Sequence, residues 1–69
     1  METNLNANRT AALAAIVAGD TVKVLLEGNP SGKVITAIDD RHILVDLDGE
    51  GVVVNRVFVI RVNGKSVRG

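Results

Sequence analysis

The chain has 69 residues, 46% of them hydrophobic, and its eight basic and eight acidic side chains give a formal net charge of zero. This length allows one small domain, residues 1–69. In a domain of this size, the free energy gained by burying apolar surface is about equal to the entropy cost of ordering the chain. With no cysteine and one histidine, disulfides and a Cys/His zinc cage are excluded. A partner subunit is therefore the expected additional source of stability.

Two further features of the sequence limit the classes of protein. No apolar run approaches the ~18 residues that a membrane span needs, and neither a secretory signal nor a cysteine is present, so we expect an intracellular, cytoplasmic protein. Residues 39–50 carry five acidic side chains against one basic, whereas residues 55–69 carry four basic and no acidic ones. This charge dipole is not typical of a protein that binds duplex nucleic acid nonspecifically.

The first predicted element is a helix over about residues 6–18. Asn8 or Thr10 is the candidate cap, the alanines between residues 11 and 15 favour the helix, and Gly19 is expected to close it. The apolar positions at helical spacing, which predict one narrow buried face, are Leu13, Ile16 and Val17.

From Asp20 onward, alternating apolar residues predict five short strands over residues 20–62, followed by a polar tail over residues 63–69. Gly, Asn and Pro between residues 28 and 32 indicate the first turn. Ile43, Val45 and Leu47 are expected to face inward. Because the chain has twelve valines and one aromatic residue, we expect an aliphatic core in a mainly β domain.

The last two predicted strands are apolar at consecutive positions, Val52–Val54 and Val57–Ile60. Strands that are apolar on both faces must be covered on both faces. Because the chain is too short to cover both faces itself, the sequence suggests that a neighbouring copy of the same protein covers them.

Over roughly residues 11–62 the chain resembles the Sm/LSm superfamily, including its bacterial Hfq branch. The first motif is VKVLLEGNPSGKVITAIDDRHILVDL, with Gly28, Gly32 and Asp39 at matching places, and the second is VVVNRVFVI. Two positions depart from the family pattern: Asn55-Arg56 has no following glycine, and Ile43 stands where Sm proteins have a base-reading asparagine.

The resemblance implies an N-terminal helix followed by a five-stranded, strongly bent antiparallel Sm-like (SH3-like) small barrel. It also implies a homo-oligomeric ring, in which Val52–Val54 of one protomer pairs with Val57–Ile60 of the next; we expect roughly five to seven protomers. Single-stranded nucleic acid, RNA before DNA, is the implied ligand. The candidate contacts at the inner rim are Arg41, His42 and Arg56, with Asp39 shaping the loop.

These residue types suit that role, because a guanidinium or an imidazole can stack on an unpaired base and arginine can bind phosphate. The simpler interpretation is that Arg41 and Arg56 neutralise Asp39 and Asp40. The basic residues of the C-terminal region, which could add phosphate contacts, are Arg61, Lys65 and Arg68.

An alternative function rests on GDTVKVLLEGNPSGKV, which loosely resembles a KOW segment. It predicts an SH3-like or KOW-like barrel that acts as a protein-interaction or structural ring module. No nucleophile, base and orienting residue occur together, so we expect neither an enzyme nor a bound cofactor or metal.

Overall fold

The computed structural model describes residues 5–67, with side chains from Arg9 onward. In chain order, the elements are α1 (Leu5–Ala14), β1 (Thr21–Val24), β2 (Ser31–Ala37), β3 (His42–Leu47), β4 (Glu50–Asn55), a 3-10 helix (Arg56–Phe58), β5 (Val59–Val62) and β6 (Lys65–Ser66). One short helix therefore precedes a mainly β chain, as the valine-rich alternation predicted.

The strands form one open antiparallel sheet in the order β4-β3-β2-β1-β5-β6. Two register shifts, at Lys23/Val24 and between Val34 and Thr36, interrupt the ladders of β1 and β2. The sheet has six strands instead of the predicted five, because β6 lies in the segment that was expected to be a tail. Asn63 and Gly64, with φ of 52° and 84°, form the turn that returns β6 to β5.

The helix ends at Ala14, four residues earlier than predicted, and Asn8 and Thr10 lie inside it, not at its start. The carbonyls of Leu13, Ala14 and Ile16, which a longer helix would pair with later N–H groups, accept hydrogen bonds from the Arg56 guanidinium. Gly19, with φ of 97°, instead turns the chain into the sheet, where its N–H donates to the Val34 carbonyl.

The core is aliphatic, as expected from the composition. Its buried hydrophobic residues are Leu13, Ile16, Val22, Val24, Val34, Ile43, Val45, Leu47, Val54, Val59 and Val67. The predicted inward positions of β3 are confirmed, whereas Val17, which was predicted on the buried face of the helix, is exposed. Val67 closes the core from the C-terminal side, so residues 63–67 belong to the folded domain.

Gly32 of β2 lies close to the backbone of β3. A Cβ atom at this position would overlap the carbonyl oxygen of Asp46 and lie 3.0 Å from Leu47 Cδ2. Only glycine therefore fits here, because the obstacle is backbone and cannot rotate away.

Candidate functional site

The loop between β2 and β3, together with the first residue of β3, contains three of the four predicted site residues and is held by its own aspartate. Asp39 Oδ1 accepts hydrogen bonds from the backbone N–H groups of Arg41 and His42, both at 2.7 Å. The N–H groups of Ile38 and Asp39 in turn donate to the His42 carbonyl. This is the turn chemistry expected of an aspartate at the start of a short loop, and it fixes the backbone of residues 39–42.

His42 adds a side-chain contact to the same carboxylate. Its Nδ1 lies 3.1 Å from Asp39 Oδ1 and 3.3 Å from Oδ2, and its side chain is 40% exposed. The Arg41 N–H holds the pKa of the Asp39 carboxyl below its ordinary value; partial loss of hydration opposes this effect, and the N–H and imidazole of His42 add to it. The loop is therefore held by a carboxylate that is favoured in its ionised form.

Arg41 is exposed at the tip of this loop. Within residues 5–67 its guanidinium makes no hydrogen bond or ion pair, although its backbone carbonyl accepts from the Arg56 N–H at 2.7 Å. Asp40 beside it is also exposed. The Arg41 side chain is therefore available to a ligand while its backbone is fixed on both sides.

Arg56 is 6% exposed, and its guanidinium binds backbone carbonyls of the protein itself. Nη1 donates to Leu13 O at 2.7 Å and Ile16 O at 3.1 Å, with a longer bond to Ala14 O at 3.3 Å. Nε and Nη2 donate to Asp39 O at 3.2 and 2.9 Å. One guanidinium thus joins the C-terminal end of α1 to the 39–42 loop.

The four predicted residues therefore occupy one region in two layers. Asp39, Arg41 and His42 form the exposed loop, whereas Arg56 lies beneath it. Arg56 contacts the Asp39 carbonyl and not a carboxylate, and the one ion pair within the described residues is His42–Asp39. The simpler interpretation, charge neutralisation by Arg41 and Arg56, is not what holds this loop together.

A cleft of about 640 Å³ is lined by residues of α1, the loop between β1 and β2, the 3-10 helix, β5 and β6. Its apolar lining residues are Leu25, Val57 and Ile60, and its polar ones are Arg9, Asn29, Arg61 and Ser66. Arg61 was predicted as a phosphate contact, but the cleft itself was not predicted. The sequence feature that pointed to this region was the unopposed positive charge of residues 55–69. Arg68, which is part of that segment, lies outside the described residues.

The largest exposed apolar side chains lie in two main groups. One, which we call the β4 patch, comprises Ile35, Val53 and the half-buried Leu44; Leu44 and Val53 are cross-strand partners, and Gly51 lies beside Ile35 and Leu44. The other, the β5 patch, comprises Leu25 and Val57, which line the cleft with the half-buried Ile60, and the exposed Phe58 next to Val57 in the chain. The remaining ones are Val17, Leu26 and Ile38.

Comparison with known proteins gives no assignment. No family model, no curated protein and no solved structure matches the chain. Among residues 5–67, no helix is long and apolar enough to cross a membrane, and no group of three or more His, Cys, Asp or Glu side chains is placed to hold a metal ion. The function must therefore be argued from the loop, the cleft and the two apolar patches.

Proposed function

We propose that the protein is a non-catalytic small-barrel protein of Sm-like type that assembles into a ring and binds single-stranded nucleic acid, RNA before DNA. The observation that carries this proposal is the exposure of the two apolar patches in the isolated chain. Val53 is 59% exposed, Val57 55% and Phe58 45%. Exposed groups of this kind on a small domain are typical of interaction surfaces.

The strand order supports the barrel. β1, the first strand of the chain, pairs with β2 on one side and with β5 on the other, so the chain returns to β1 after β4. Irregularities in the ladders of β1 and β2 increase local twist and bend the strands. A sheet bent in this way is the geometry that a small barrel requires.

The free edge of β4 supports assembly. β4 pairs with β3 alone among the described strands, so the backbone groups on its other side are open to a second chain. The β4 patch extends from β2 across β3 to this strand, and the β5 patch belongs to the other end of the sheet order. Two different surfaces, one reaching the β4 edge and one beside β5, allow a head-to-tail contact, which generates a ring when the rotation closes.

The 39–42 loop supports nucleic acid as the ligand. It presents Arg41 with its guanidinium free among residues 5–67, next to the exposed imidazole of His42, on a backbone that Asp39 has already ordered. A prepared loop lowers the entropy cost of binding. Repetition around a ring gives avidity for one strand that contacts several copies.

The test measures binding of fluorescent oligo-U and oligo-A by polarisation at low and high salt, after native mass spectrometry of the same sample. Arg41→Gln is expected to weaken binding by at least about tenfold, because the loss is repeated in every copy. The matched control is Lys33→Gln, an exposed cation on β2, which is expected to bind like the unaltered protein. An assembled protein that retains neither oligonucleotide contradicts the nucleic-acid function.

A second candidate is the SH3-like or KOW-like protein-interaction or structural ring module. The burial of Arg56 favours it, because one of the three predicted ligand-contacting side chains is used inside the protomer. On this proposal the protein assembles, and Arg41→Gln leaves its assembly and partner binding unchanged. The polarisation measurement therefore separates the two functions.

A further inference from the structure

We infer that neighbouring copies join by placing the acidic β3–β4 turn of one, with Asp48 and Glu50, in the Arg9–Arg61 cleft of the next. This contact rests on the self-assembly proposed above and specifies which surfaces meet. It is a different contact from pairing of β4 with β5.

The lining of the cleft combines apolar side chains with the guanidinium groups of Arg9 and Arg61. Arg9 Nη2 donates to the Val57 carbonyl at 2.6 Å, and Arg61 Nη1 donates to the Gly64 carbonyl at 3.1 Å. Each guanidinium has five N–H groups, so one bond to the protein fixes its position and leaves donors for a carboxylate. Neither arginine forms an ion pair within residues 5–67.

The β3–β4 turn is a compact acidic projection. Asp48 and Gly49 adopt φ of 57° and 87°, and Asp46 Oδ1 accepts the Gly49 N–H at 3.0 Å, which braces the turn from within. The side chains of Asp48 and Glu50 are exposed and make no hydrogen bond or ion pair with other described residues. Their carboxylates are therefore presented on a rigid support without an internal partner.

Charge complementarity selects a second copy as the occupant of the cleft. The acidic segment 39–50 and the basic segment 55–69 have opposite net charge, yet no ion pair joins them within the described residues. In the sheet order the acidic turn belongs to the β4 edge and the cleft to the β5–β6 side. A head-to-tail arrangement satisfies both charges at once and repeats from copy to copy.

The position of β6 explains why the proposed contact between copies uses the cleft and not the edge of β5. Arg61 and Val62 of β5 pair with β6, and the Val67 N–H donates to the Ile60 carbonyl at 3.2 Å. The outer edge of β5 is thus occupied from Ile60 to Val62, and a neighbour's β4 could add there only if residues 65–67 left. Insertion of a turn into the cleft leaves β6 and the buried Val67 in place.

The experiment is a charge swap read by native mass spectrometry and sedimentation at low salt. Glu50→Lys and Arg61→Glu are each expected to weaken assembly by about tenfold, because each places like charges in contact. An equimolar mixture of the two is expected to reassemble into rings with an even number of copies, since the lysine turn of one variant fits the glutamate cleft of the other and the second contact keeps the unaltered turn and cleft. The double variant in one chain is expected to assemble alone, and high salt should reduce all these differences.

Asp40→Lys is the matched control for Glu50→Lys, because it makes the same charge change on an exposed residue outside both surfaces. Circular dichroism confirms that each variant is folded, and Arg61→Gln, with a smaller expected loss of assembly, replaces any unfolded Arg61→Glu. If the unaltered protein stays monomeric, self-assembly itself is wrong. If it assembles and the charge variants assemble equally well, only this contact is overturned. Loss of oligonucleotide binding by Arg61→Glu without a change in mass would overturn it in favour of a nucleic-acid cleft.

Discussion

Arg41 and Arg56 lie in adjoining regions of the molecule and share a backbone hydrogen bond, but their side chains have opposite surroundings. Arg41 is at the tip of an exposed loop, with no side-chain partner among residues 5–67. Arg56 begins the 3-10 helix below that loop, and its guanidinium donates to carbonyls of four residues. The same residue type is therefore offered to a ligand in one region and used to build the fold in the other.

The carbonyls at a helix end thus compete with ligands for nearby cations. α1 ends with carbonyls that lack helical partners, and a positively charged side chain is favoured at that end. Arg56 is the cation that reaches them. Arg41 is left on the surface because its own backbone, held by Asp39 and by the Arg56 N–H, turns the loop outward.

The largest expected effect is that of Arg56→Ala on stability. Removal of the guanidinium takes away its five hydrogen bonds to carbonyls at the end of α1 and at Asp39, of which those to Leu13 and Ile16 are buried, and this should lower the free energy of unfolding by about 3 kcal/mol. Arg56→Lys should lose less, because it keeps the charge but not the planar fork. Urea unfolding measures both. Arg41→Ala, as the control, should change stability by less than about 0.5 kcal/mol, and equal losses for both arginines would contradict the comparison.

A smaller effect tests whether Arg56 acts through the helix. Leu13 is buried, and its carbonyl accepts the shortest bond from Arg56. Leu13→Ala keeps that carbonyl but loosens the packing of α1 that positions it, so Leu13→Ala and Arg56→Ala should be non-additive, with a coupling of about 1 kcal/mol in the free energy of unfolding. Leu13→Ala combined with Arg41→Ala should be additive. A double-mutant cycle in urea gives both values, and additivity in the first pair would show that the two residues stabilise the fold independently.

The smallest effect concerns pH and the loop that presents Arg41. Because the pKa of Asp39 is lowered in the folded chain, its contribution to stability is fully present above the unfolded value of about 3.9 and is lost as the pH falls through the folded value. Asp39→Asn removes this titration. The stability difference between the unaltered protein and Asp39→Asn should therefore shrink as the pH is lowered from 6 to 3, as followed by thermal unfolding. A difference that stays constant over this range would contradict the role of the ionised carboxylate.

Local patterns in the sequence were sufficient for much of the fold. The alternation of Ile43, Val45 and Leu47 predicted the buried face of β3, and the presence of only one aromatic residue predicted an aliphatic core. The end of α1 was not predictable in this way, because it depends on an arginine some forty residues later in the chain. β6 was missed since Lys65–Ser66 is polar and two residues long, so it carries no periodic signal.

The candidate site was predictable to the same extent. An aspartate opening a short polar loop predicts hydrogen bonds to the following N–H groups, and Asp39 makes them. Arg56 interrupts an apolar run beside Asn55, which made it resemble a surface turn. Its actual environment depends on where α1 ends, and that is information from tertiary structure alone.

Gly32 has a practical consequence for anyone who screens this protein by saturation mutagenesis. Gly32 is only half-buried, yet no other amino acid fits there. In a growth-based screen, such an intolerant position near the surface would resemble a ligand contact. The intolerance has a steric origin, in the Asp46 carbonyl that fills the space of a side chain. Sensitivity scores on this face of the sheet therefore need a parallel measurement of protein abundance before any residue is assigned to an interaction surface.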